Sequence, residues 1–90
     1  MLVAARSYTD HAAEIDDLCG TLFDRWCKLR SVIPLAHLMR GWPLAMGSSG
    51  TLRQLSGALQ NLIDWHAESL DGIDLRLIHA VLELVGEATQ

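Results

Sequence analysis

Residues 40–51, RGWPLAMGSSGT, hold the groups best placed for chemistry in this 90-residue chain. Ser48, Ser49, Gly50 and Thr51 stand directly before an apolar-periodic run. A helix starting there would turn unpaired backbone N–H groups and the positive end of its dipole toward a phosphate or carboxylate. A phosphate-binding P-loop also needs a lysine after its last glycine and a strand before it. Thr51 stands where that lysine would be, and no strand pattern precedes it. The simpler reading is a connector, its glycines permitting a turn and its serines capping the next helix. An anion site at Ser48, Ser49, Gly50 and Thr51 is the sharper alternative.

The other reactive side chains are scattered. Glu14/Asp17 and Glu68/Asp71 have the i,i+3 spacing with which helical Mg²⁺-dependent nucleotide hydrolases aim two carboxylates at one ion. Glu14 and Asp17 fall opposite the apolar stripe of their helix and Asp71 falls in a turn signal, so solvated residues are expected and a hydrolase is a remote alternative. His11, His37, His66 and His79 lack His-x3-His spacing, and Cys19 and Cys27 form no Cys-x2-Cys pair, so no metal site is written locally. His66 sits within an apolar arc and is expected as a core or interface histidine. Cys19 and Cys27 are eight residues apart on one helical run, about 12 Å along the axis, too far for a disulfide. Both are expected to be reduced and buried, as suits a cytoplasmic protein. We therefore expect no enzyme, no cofactor and no metal.

Four helical runs must position these residues, at about 7–30, 32–40, 50–68 and 73–87, making 1–90 one helical domain. In the first, Ile15, Leu18, Cys19, Leu22, Phe23, Trp26 and Leu29 share one side. Ser31 can cap a short second helix with Pro34 in its first turn, Gly41 can close it in a left-handed conformation, and Trp42-Pro43 blocks continuation. Leu52, Leu55, Leu59, Leu62, Ile63 and His66 line the third, and Gly57 within it suggests a close helix contact. Asp71 or Asp74 caps the fourth. The expected fold is all-α, a compact bundle of four helices with helix 2 short, and dimeric. No apolar run reaches the 18 residues of a membrane span, and the N-terminal MLVAAR is too short for a signal peptide.

The dimer is expected from two features. In the last helix Ile73, Leu75, Leu77, Ile78, Val81, Leu82, Leu84 and Val85 sweep about 200°, where a surface helix needs little over 100°. Leu75, Ile78, Val81, Leu82 and Val85 are thus the expected contact with a second copy, unless this helix is the one wrapped by helices 1 and 3. Charge is also segregated. Residues 1–24 hold one base against five acids and 64–90 one against six, whereas 25–63 hold five bases and no acid. Arg25, Lys28, Arg30 and Arg40, with Trp42, can face an acidic protein partner, or simply pair with the acidic helices of the same chain or its copy. TLRQLSGAL, residues 51–59, has the pattern of the first helix of a helix-turn-helix, but no turn and recognition helix follow, and the chain is acidic, so nucleic acid is not the expected partner. The expected function is a noncatalytic protein–protein interaction module, such as a small adaptor, chaperone-like subunit or binding inhibitor. The alternative is a dimeric transcription-associated regulator using the basic segment 25–63.

Overall fold

The computed structural model describes residues 8–42 and 49–88, and among these all regular structure is helical. Helix α1 spans Tyr8–Leu29, α2 Val32–Leu38, α3 Ser49–His66 and α4 Gly72–Ala88, with a 3₁₀ turn at Ala67–Ser69 between the last two. The boundaries follow the expected ones to within two residues, and α2 is short as expected.

Helices α1 and α4 run antiparallel, because the start of α1 meets the end of α4 and the last turns of α1 meet its start. At one end His11 Nε2 lies 3.0 Å from Glu87 Oε1. At the other, Arg25 Nε donates to Asp74 Oδ1 at 2.9 Å and Arg25 Nη2 to Asp71 Oδ2 at 2.8 Å. Between these locks the buried residues of α1 are Ile15, Cys19, Leu22 and Trp26, and those of α4 are Ile78, Val81 and Val85. Both sets follow the alternating four- and three-residue spacing that keeps an apolar seam on one face. Leu52, Leu55, Leu59 and Leu62 of α3 and Leu38 of α2 complete the core. Packing follows a ring: α1 on α4, α4 on α3, α3 on α2 and α2 on α1.

Each turn has its own physical cause. Helix α1 ends in a Schellman motif, in which Ser31 N–H donates to Trp26 O at 2.8 Å and Arg30 N–H to Cys27 O at 3.2 Å. The motif needs a left-handed residue, and Arg30 takes that place at φ 55°, where glycine is usual. Ser31 precedes α2 without lending it a side-chain cap, contrary to expectation. Gly41 is not left-handed either. It is needed because a Cβ there would collide with Leu55 Cα and lie 2.6 Å from Leu55 N, so only glycine lets the chain after α2 touch the α3 backbone. The expected close contact at Gly57 does not exist, since a Cβ there would meet nothing within 4 Å. Helix α4 begins with a reciprocal capping box. Asp74 N–H donates to Asp71 Oδ1 at 2.8 Å, and Asp71 N–H to Asp74 Oδ2 at 3.2 Å.

Candidate interaction surface

The residues proposed for a helix-4 contact divide into two groups. Ile78, Val81 and Val85 are buried in the chain's own core and offer nothing to a second copy, which corrects the expectation for them. Leu75 and Leu82 are half-buried, as are Leu77 and Leu84, while Ile73 is exposed. The wide apolar arc of α4 is therefore explained largely within one chain, by α1 on one flank and α3 on the other.

The basic middle is divided as well. Lys28, Arg30 and Arg40 are exposed, but Arg25 is held by Asp71 and Asp74 of α4. Asp74 is buried while Arg25 is partly open to solvent, so their ion pair joins α1 to α4 at the edge of the core. Asp71 is exposed; the Asp74 N–H bound to its carboxylate, and then the adjacent Arg25 charge, hold its carboxyl below the usual range. For Arg25 the pairing of acidic helices with the basic middle thus takes place inside one subunit. Trp42 is half-buried, its ring 5.5 Å from that of Phe23 and its Nε1 donating to Asp16 Oδ1 at 2.9 Å. It serves first to seat the chain after α2 on α1.

The stretch 40–51 is only partly a connector. Residues 43–48, Ser48 among them, lie outside the described residues. Ser49, Gly50 and Thr51 form the first turn of α3, where Gly50 is exposed and Thr51 half-buried. Gly50 is therefore a helical residue rather than a loop residue.

The remaining candidates do not converge on a reaction centre. Asp17, Glu68 and Asp71 are exposed, whereas Glu14 is half-buried with its Oε1 out of contact with solvent, not solvated as expected. His37 and His66 meet edge to face with ring centroids 5.3 Å apart, His37 Nδ1 lying 2.9 Å from Ile33 O. Among the described residues no three His, Cys, Asp or Glu side chains are grouped to hold a metal ion. Cys19 is buried, and burial, aided by the charge of Asp16, pushes its thiol up to about 12. Cys27 is exposed, contrary to expectation. It sits about 100° around α1 from its neighbour Trp26, off the stripe.

Two surface features stand out once the core is accounted for. Leu29, Val32, Ile33 and Ile73 are exposed at the end of the bundle where α1 passes into α2 and α4 begins. There Arg30, Ser31, Val32, Ile33, Pro34 and Ser69 line a depression of about 360 Å³. The second feature is the outer face of α3. Trp65 is 75% exposed, and a groove of about 350 Å³ lies on the same face, lined by Arg40, Gln54, Gly57, Ala58 and Asn61. Trp65 was missed as an interaction residue, although its place off the apolar arc of α3 is visible in the helical periodicity. No helix among the described residues is long and apolar enough to cross a membrane. No family model, curated protein or solved structure matches the chain.

Proposed function

We propose that this chain is a noncatalytic protein–protein interaction module that works as a homodimer in the cytoplasm, in the manner of a small adaptor, chaperone-like subunit or binding inhibitor. One observation carries the reading. The core closes without Leu29, Val32, Ile33, Met39, Trp65 and Ile73, and all six remain exposed. Large apolar side chains clustered on a small domain forgo burial energy unless another surface covers them. Four of the six cluster at the α1–α2 end, with Lys28 and Arg30 exposed beside them, which suits an acidic protein with an apolar contact face. The free thiols Cys19 and Cys27 fit a reducing compartment. The regulator alternative loses support, since Arg25, the innermost cation of the basic segment, is already balanced by two acids.

The test is capture of partners from a native lysate by the wild-type chain and by Leu29→Ser/Val32→Asp. Both positions are exposed, so the variant is expected to match the wild type in circular dichroism and unfolding midpoint. A protein captured by the wild type and lost by the variant is the expected result. Identical capture by both, or capture of nothing by either, would contradict the reading.

A further inference from the structure

We propose that two copies of the chain pair through the outer face of α3, the indole of Trp65 from each copy entering the groove beside Gly57 of the other. The inference rests on the homodimer reading above and names its surface. At 100° per residue Gln54, Gly57, Ala58, Asn61 and Trp65 fall within an arc of about 100° on α3, away from the core positions Leu55, Leu59 and Leu62. The stripe carries a hole and a knob. The hole is the groove of about 350 Å³, open because residue 57 has no side chain and residue 58 only a methyl group. The knob is Trp65, the most exposed of the large apolar side chains among the described residues.

Hole and knob are spaced symmetrically about Asn61, which is four residues from Gly57 and four from Trp65. A two-fold axis crossing α3 at Asn61 therefore sets the two α3 helices antiparallel and brings each Trp65 to Gly57 of the other copy, both at once. The same operation brings Asp64 of each copy to Ala58 of the other. Arg40 lines the groove there, and both Arg40 and Asp64 are exposed. The contact thus matches in charge as well as in shape, and Asn61 can hydrogen-bond its own copy on the axis, a use of asparagine that fixes register in paired helices. Asp64 accepts from Gln60, and among the described residues Arg40 has no carboxylate within ion-pair distance, so neither charge is committed to a partner inside the core. One helix face is smaller than the roughly 800 Å² per partner of a standard interface, so the dimer is expected to dissociate on dilution.

Sedimentation of the full chain from micromolar to sub-millimolar concentration tests this. The wild type is expected to show reversible dimerisation. Trp65→Ala removes the knob and Gly57→Leu fills the hole. Both sites are exposed, so both variants are expected to keep the helical fold by circular dichroism and each to weaken dimerisation by about tenfold or more. Arg40→Glu weakens it by roughly two- to fivefold, and Arg40→Glu/Asp64→Arg restores it. A wild-type dimer untouched by both Trp65→Ala and Gly57→Leu would overturn the α3 surface and leave the homodimer standing. A wild type monomeric throughout would overturn both, leaving the α1–α2 end as the module's contact.

Discussion

The α1–α4 pair and the α2–α3 pair are built on opposite plans. Along α1 and α4 an apolar seam runs between two polar locks, His11 with Glu87 at one end and Arg25 with Asp71 and Asp74 at the other. Polar contacts at both ends fix the register, most firmly at the Arg25 end, where sliding either helix by one turn would leave buried Asp74 without its partner. Between α2 and α3 no ion pair plays that part among the described residues: Gly41 lies against the Leu55 backbone, Gln54 Nε2 donates to Arg40 O at 2.8 Å, and half-buried His37 and His66 meet nearby. Beside this second pair the surface carries exposed Met39 and Trp65 and the Gly57 groove. The difference indicates a division of labour, in which the first pair holds the fold and the second pair, with the α1–α2 corner, presents surface to partners.

The contrast can be broken most severely at Val81. A carboxylate placed there has no partner in the core, and the cost of several kcal/mol is comparable with the whole stability of a small domain. Val81→Glu is expected to unfold the chain by circular dichroism, not to release folded monomers; a folded monomeric variant would return α4 to the role of an interface. Next in size is Gly41→Ala. Its Cβ would press on the Leu55 backbone, and separating α2 from α3 is expected to cost about 3 kcal/mol in urea unfolding. A change below about 0.5 kcal/mol would show that the α2–α3 contact yields freely.

Two smaller effects sharpen the comparison at the α1–α4 end. Arg30→Gly relieves a left-handed arginine and is expected to raise stability by about 1 kcal/mol, since the Schellman bonds are made by the backbone and survive the change. The smallest effect is expected from Asp71, whose pair with Arg25 is open to solvent. Its folded-state carboxyl is depressed, so its contribution is complete above the unfolded-chain value, about 3.9, and is lost as pH falls through the lower folded value. Stability of Asp71→Asn, followed by urea midpoint, should therefore fall less steeply below about pH 4 than that of the wild type.

What the sequence made legible was the helices, and what it hid was their neighbours. The three- and four-residue spacing of Ile15, Leu22 and Trp26, or of Leu52, Leu55, Leu59 and Leu62, marks the buried side of a helix whatever covers it. Leu29 follows the same spacing yet is 60% exposed, because α4 begins opposite Arg25 and little of it remains to cover the last turn of α1. Arg25 and Asp74 lie 49 residues apart, and no local pattern distinguishes that carboxylate from the other acids. Gly41 looked like a helix terminator because glycine commonly is one; that it admits another backbone is a fact of tertiary packing. The α4 arc was read as surplus because two of its flanks are covered, and periodicity counts apolar positions without counting neighbours.

The claim that stability and association occupy different faces is tested most directly by one variant, Leu29→Ser/Val32→Ser/Trp65→Ser, measured in urea unfolding at low protein concentration and in sedimentation at high concentration. All three residues are exposed, so the unfolding free energy is expected to stay within about 1 kcal/mol of the wild type while dimerisation is lost. A variant that loses several kcal/mol, or one that keeps its stability and still dimerises as the wild type does, would contradict the account.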